Sequence, residues 1–337
     1  MVSNGSGKPE PYFYTQCQNG GKGKKMMISA ETMNSCTFES AEELLRSRQN
    51  AINRRLAPYH LKVEVRKMYK PNLGEKAAYE VHRTDHPAPA APVVYCDPSW
   101  ILMTDAEIVE IILEANEKTG EIVRIGIPEF SRPEILASVL PRVLNESNEQ
   151  DLIREEIPYS RIGDMDLLVI YYLPVGDCGS ITIKNGIIRQ AGLTVDELQD
   201  AASRNIRQNL IFQPLETAMM NLAGLDAEDA PAVPKTGLYV ATTKNGRFGA
   251  GVFAGGMDLF REFGEKLKSR NLIVFPSSIH ELLILPCTEF WTGFDLQEMT
   301  AMVREINAST VAKEEVLSNS VYLADLDKSS IRCIRYR

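Results

Sequence analysis

The run Leu167 to Val175 (LLVIYYLPV) constrains this chain more than any other segment. It is far short of the ~20 residues that a bilayer-spanning helix needs. It is also too evenly apolar for a strand with one wet face, which would alternate. Such a run has to be buried on both faces, as a central strand. The chain can supply that burial. Its 337 residues are the length of about two domains at ~150 residues each. Area scaling puts roughly three-quarters of the unfolded surface out of water at this size. With 44% hydrophobic residues, ordering entropy is offset without a disulfide or metal staple.

The segments on either side supply helices and strands. Residues 1–36 carry Gly, Ser, Asn and Lys without apolar periodicity and read as a flexible tail, with Met26 and Met27 as alternative starts. GSGKP in that tail lacks the upstream Gly of a phosphate loop, and Pro9 stands where Ser or Thr is required. Ser40 is the expected cap of a helix with Leu44, Leu45, Ile52 and Leu56 on one face, stopped by Pro58. LKVEVRKM alternates as a half-buried strand, a second runs from Ala78 to Arg83, and PVVYC follows a Pro/Ala-rich bend. Thr104 and Glu107 form a capping box for a helix that Gly120 should end. A further helix is expected from Pro133 to Asn145, kinked or divided at Pro141.

After Asp164 the strands pair through short turns. LLVIYYLPV meets SITIK, GLYVATT meets FGAGVFAG about Lys244–Arg247, LIVF meets LLILP about a Pro-Ser turn, and SVYLADLDKSSIRCIRY closes as a hairpin. Asn185 reads as the N-cap of a short helix ended by Gly192, and Thr194 with Glu197 opens the next. MDLFREFGEKLKSR and LQEMTAMVREINAS are amphipathic helices, and DAEDAPAVPK is a linker. Short connections favour antiparallel pairing over βαβ crossovers. The expected fold class is therefore α+β, with a mostly antiparallel sheet of strand–strand–helix units. The expected divisions are the tail, a smaller amino-terminal helix/strand portion over residues 37–130, and a main domain over 131–337.

Charge and cysteine usage limit the function classes. Ala41 to Lys70 holds eight Lys/Arg against three Glu, whereas Ile101 to Ser160 holds five against thirteen acidic residues. Arg46, Arg48, Arg54 and Arg55 form a basic face suited to nucleic acid or to docking on the acidic segment. No aromatic residues interleave with it, and the net charge is -8, so nucleic acid is disfavoured. Six scattered cysteines without a CxxC pair, and no signal-peptide h-region, lead to the expectation of a reduced, cytoplasmic setting.

Long matching strings resemble one family: IPYSRIGDMDLLVIYYLPV, AASRNI, LYVATTKNGRFGAGVF, VFPSSIHELLILP and VREINASTVAKEEVLSNSVYLAD. The combination of PSSIHE with EEVLSNSVY marks the chain as similar to bacterial proteins catalogued as a domain of unknown function. The segment from Val63 to Asn116 fits the amino-terminal portion of that family. Tyr159 stands where the resemblance leads one to expect His, which removes one acid/base candidate. A more distant likeness is to a second uncharacterised bacterial family. Neither implies an activity, a cofactor or a catalytic residue.

Catalytic candidates are few among four histidines. Ser278 and His280, two apart on an expected strand, would share a face and form a nucleophile–base pair oriented by Glu281, although no GxSxG elbow exists. Asp164 and Asp166 with His280 would give ligands for a water-activating metal, at a spacing that matches no defined site. Gly246, Gly249, Gly251, Gly255 and Gly256 do not spell GxGxxG, so no nucleotide cofactor is expected. Phe290, Trp291 and Phe294 make an apolar cluster suited to a partner or to the core. The reading that follows is a non-enzymatic protein that binds a protein or small ligand, with no cofactor. The first alternative is a hydrolase around Asp164, Asp166, Ser278 and His280. The second is nucleic-acid binding through Arg46 to Lys70.

Overall fold

The computed structural model describes residues 12–13, 38–85, 91–125, 131–175, 179–223, 236–287 and 293–335. The remainder of the tail, the 226–235 linker and the Phe290–Trp291 part of the aromatic cluster lie outside the described residues, as does the Phe294 side chain. The architecture is α+β with mostly antiparallel strands, and the chain divides into two compact units, Met1–Phe130 with Leu173–Thr182, and Ser131–Tyr172 with Ile183–Arg337.

In the first unit, β1 (Tyr12–Phe13) pairs with the later strands Ala91–Tyr95 and Gly179–Thr182. Helix α1 (Phe38–Leu56) begins two residues before Ser40, so that residue is inside the first turn and not its cap. β2 (Leu61–Lys70) and β3 (Gly74–Arg83) form one unbroken hairpin from Leu61↔Arg83 to Lys70↔Gly74, and β4 (Ala91–Tyr95) pairs with β3. Leu61 and Val63 face inward, and α1 covers them with Leu45, Ile52 and Leu56. The Tyr79 hydroxyl reaches the Leu45 carbonyl at 2.6 Å from beneath this layer. Helix α2 (Asp105–Ile125) carries the Thr104–Glu107 capping box and adds Ile108 and Ile112 to the same core. It runs through Gly120 to Ile125; one glycine costs a helix only about 1 kcal/mol.

In the second unit the stretch expected as one helix splits into α3 (Arg132–Ser138) and strand β5 (Leu140–Asn145). Val139 turns to φ -58°, ψ 134° and ends the helix two residues before Pro141, which has no N–H for the helical ladder and disfavours helical backbone at Leu140. Pro141 is accommodated because β5 ends its row of strands, where a missing N–H goes unused. A short helix α4 (Glu149–Arg154) leads to β6 (Tyr159–Arg161) and then to β7 (Leu167–Val175). β5 and β6 both pair antiparallel with β7, and Leu167 to Leu173 are all buried, as the apolar run requires. After β8 (Gly179–Thr182), which belongs to the first unit, the second resumes with α5 (Asn185–Ala191), whose cap position is Lys184, one residue before the expected Asn185. Gly192 ends α5 in the left-handed conformation, and the Thr194–Glu197 capping box opens α6 (Val195–Asn209).

Strand β9 (Leu210–Pro214), helix α7 (Leu215–Ala223) and β10 (Tyr239–Thr243) follow. FGAGVFAG is not a strand: Gly249–Gly255 is a 3-10 segment entered through Phe248 at φ 57°. Its N–H groups are taken by the loop after β11, through Gly249 to the His280 carbonyl (2.9 Å) and Ala250 to that of Ile279 (3.3 Å), so no hairpin ladder forms. Helix α8 (Gly256–Leu267), β11 (Asn271–Phe275), β12 (Leu282–Cys287), α9 (Gly293–Ser309), β13 (Val321–Asp325) and β14 (Ser330–Ile334) complete the unit. Its antiparallel sheet has the order β14-β13-β11-β12-β10-β9. No helix among the described residues is long and apolar enough to cross a membrane.

Candidate functional site

The loop Pro276–Glu281 joins β11 to β12, so Ser278 and His280 lie in a loop and not on a strand. Ser278 Oγ accepts the His280 backbone N–H at 3.0 Å, and the Ser277 hydroxyl donates to Glu281 Oε1 at 3.2 Å. The Ser278 hydroxyl therefore fixes the backbone rather than meeting the imidazole. His280 Nδ1 accepts from the Phe248 N–H at 3.2 Å, which leaves the neutral ring's hydrogen on Nε2. Nε2 faces Glu315 Oε1 at 3.6 Å, too far for a hydrogen bond. Two guanidinium groups lie over the Phe248 ring, Arg142 at 4.4 Å and Arg247 at 5.5 Å from its centre, with Tyr172 edge-on at 5.0 Å.

Burial, and then the positive charges of Arg142 and Arg247, lower the His280 pKa to about 4. At neutral pH such an imidazole is a weak general base. Its effect falls on stability instead. The unfolded imidazole, near its ordinary 6.5, takes up a proton before the folded one does. The stabilisation is therefore complete above pH 6.5 and is lost as pH falls towards 4, by up to about 3 kcal/mol. Urea unfolding between pH 7 and 4 is expected to show this slope. In His280→Gln it should be shallower; an equal slope would show that groups other than His280 set it.

Asp166 has a different neighbourhood. Buried at the entry to β7, it accepts from Ser318 Oγ (2.7 Å), Ser320 Oγ (3.1 Å), Tyr322 Oη (2.7 Å) and Cys333 Sγ (3.4 Å). Burial foremost, with Asp166 beside it, holds the Tyr322 hydroxyl well above its usual range, and burial raises the Cys333 thiol. Both therefore remain protonated donors. Asp164 is exposed. Among the described residues, no hydrogen bond joins the side chains of Asp166, Ser278 and His280 to one another: the Ser278 hydroxyl oxygen holds the His280 backbone N–H, His280 Nδ1 holds that of Phe248, and Asp166 holds the cluster around Ser318 and Tyr322.

The basic face also resolves into separate roles. Arg46, Arg54 and Arg55 are exposed, and Arg46 pairs with Glu42 at 2.6 Å. Arg48 donates to the Met103 carbonyl at 2.6 Å and lies 3.8 Å from Asp105, so it joins α1 to the start of α2. On the outer face of the β2–β3 hairpin, Glu64 stands directly opposite Glu80, and His82 is two positions beyond. Donor atoms of these three lie within 4.8 Å of one another, a set that suits a divalent metal. Arg66 already bridges both carboxylates at 2.9 and 3.0 Å, and Lys62 holds Glu64 at 3.0 Å. Two cations thus balance two carboxylates, and an entering metal would have to displace them.

One feature with the shape of a binding site is a cavity of about 440 Å³ between α9 and the sheet of the second unit. Phe275 lines it from the end of β11, Pro276 and Ser277 from the start of the loop, Leu283 and Leu285 from β12, and Met299, Met302, Val303 and Ile306 from α9. Met302 (49% exposed) and Ile306 (46%) form its outer lip. Sequence reasoning missed this cavity. The available signal was α9 itself, where Met302 and Ile306 extend the apolar face beyond the stripe of Leu296, Met299 and Val303 that packs with the sheet.

The chain belongs to the family of unknown function DUF5688, whose model matches residues 41–325. Comparison with curated proteins gives no match, and comparison with solved structures gives none either.

Proposed function

We propose that this protein is a non-enzymatic binding protein that takes a small, mainly apolar molecule into the cavity between α9 and the β10–β12 sheet. One observation carries the reading: two of the resembling strings, VFPSSIHELLILP and VREINASTVAKEEVLSNSVYLAD, line the same cavity. The first contributes Pro276 and Ser277, the second Val303, Ile306 and Asn307. A volume of about 440 Å³ falls within the ~300–1,000 Å³ of small-molecule clefts, and a mostly apolar wall with a few polar groups is their usual composition. The chemistry near His280 supports binding over turnover, because its Nδ1 is occupied by a backbone N–H, no side-chain nucleophile among the described residues hydrogen-bonds the ring, and its pKa is low.

Titration of the purified chain with the apolar fluorophore aminoanthracene is expected to saturate at one molecule per chain. Met302→Trp, placed on the exposed lip, should fill the mouth and weaken binding roughly tenfold or more. Its thermal midpoint should stay within about 2 °C of the parent, since the site is half open to water. Binding that never saturates, or that Met302→Trp leaves unchanged, would refute the proposal.

A further inference from the structure

A cavity selects among apolar molecules through the polar groups it leaves unfulfilled, and around this one the donors are already committed. The Ser277 hydroxyl donates to Glu281 Oε1 (3.2 Å), and the Ser277 N–H to the Phe275 carbonyl (3.0 Å). Thr236 gives both its N–H and its hydroxyl to Glu216, the latter at 2.9 Å. The Leu238 N–H turns back to Thr236 Oγ1 at 3.1 Å. Asn307 spends its side-chain amide on the Ser318 carbonyl and Asn319 Oδ1, each at 2.9 Å. Leu283 lies in the ladders that β12 forms with β10 and β11, and Leu285 in the one with β11.

Acceptors remain. The hydroxyl oxygens of Ser277 and Thr236 keep a lone pair each, Asn307 Oδ1 receives no hydrogen bond from the described residues, and Met299 and Met302 offer weakly accepting thioethers. Behind Ser277 stands the Glu281 carboxylate. A carboxylate or phosphate head entering here would set acceptors against acceptors, with a negative charge close by and no donor to replace lost water. A hydroxyl, amide N–H or ammonium would satisfy the acceptors directly.

From this we infer that the ligand has an apolar body and a hydrogen-bond-donating, uncharged or cationic head, and that anionic amphiphiles are rejected. The inference rests on the cavity being the binding site, and the experiment separates the two. Four ligands of equal chain length (decylammonium, decanol, decyl methyl ether and decanoate) compete against aminoanthracene at pH 7.5 in physiological salt, below their micellar concentrations. The expected order is decylammonium and decanol tightest, the ether about tenfold weaker than decanol for want of a donor, and decanoate weakest. Glu281→Gln should weaken decylammonium severalfold and leave decanol within twofold. Decanoate or the ether binding as well as decanol would overturn the inference while the cavity stands. Fluorophore binding that none of the four displaces would remove the cavity as the site, and the inference with it.

Discussion

Asp166→Ala is expected to destabilise the protein by about 4 kcal/mol, read as a fall in the urea midpoint at unchanged slope. The carboxylate ends four hydrogen bonds from Ser318, Ser320, Tyr322 and Cys333. Removing it leaves three buried hydroxyls and a thiol without an acceptor, at roughly 1–3 kcal/mol for each unsatisfied group before water entering the space recovers part. Tyr322 cannot escape by ionising, because burial holds its hydroxyl far above the ordinary range. Asp166→Asn keeps one carbonyl oxygen but turns an amide towards donors, so about half the loss should persist. Ser320→Ala in the Asp166→Ala background should cost less than in the parent, since its partner has already gone. A loss below about 1 kcal/mol for Asp166→Ala would show that the network contributes little. The result bears on function as well as stability: a carboxylate whose oxygens are filled by structural donors has none left for a metal.

Much of the architecture follows from local rules that the sequence displays openly. The capping boxes at Thr104–Glu107 and Thr194–Glu197, the left-handed Gly192 and the fully buried β7 are cases where propensity, periodicity and burial agree. Misreadings occur where a long-range partner overrides the local signal. Ile135, Leu136, Val139, Leu140 and Val143 keep helical spacing across Pro141, yet Leu140 to Leu144 are buried throughout because β5 pairs with β7. A strand buried on both faces shows no alternation to reveal it. FGAGVFAG resembles a glycine-rich strand, but its amides are captured by carbonyls of the PSSIHE loop some thirty residues away. Of the cavity, the sequence displays only the widened apolar face of α9. Its wall is assembled from a loop, a strand and a helix that approach only in the folded chain. Ser278, His280 and Asp166 stand out in the sequence as candidates for chemistry, and each carries hydrogen bonds within the fold that residue spacing alone does not reveal.

Gly249→Ala is expected to cost roughly 3 kcal/mol or more, although the substitution adds one methyl group. A Cβ at this position would land on the His280 carbonyl oxygen, 2.5 Å from Thr242 Cα and 3.1 Å from the Ala241 carbonyl oxygen. All three are backbone atoms held by β10 and by the PSSIHE loop, so no rotamer change relieves the overlap. The loop would have to withdraw, releasing the bonds from Gly249 N–H (2.9 Å) and Thr242 Oγ1 (2.9 Å) to the His280 carbonyl. Two other glycines give the comparison. At Gly255 the obstacle is the Leu259 side chain, which can rotate, so Gly255→Ala should cost less. At Gly163, with φ 50° and nothing within 4 Å, only the left-handed backbone opposes alanine, at about 1 kcal/mol. Thermal unfolding of the three variants should rank them Gly249, then Gly255, then Gly163 in descending loss. Because Pro276 and Ser277 belong to the same loop and line the cavity, Gly249→Ala should also weaken aminoanthracene binding below its melting temperature. Gly163→Ala should leave that binding unchanged. A Gly249→Ala protein as stable as the parent would mean that the loop does not rest on β10 in the way its hydrogen bonds require.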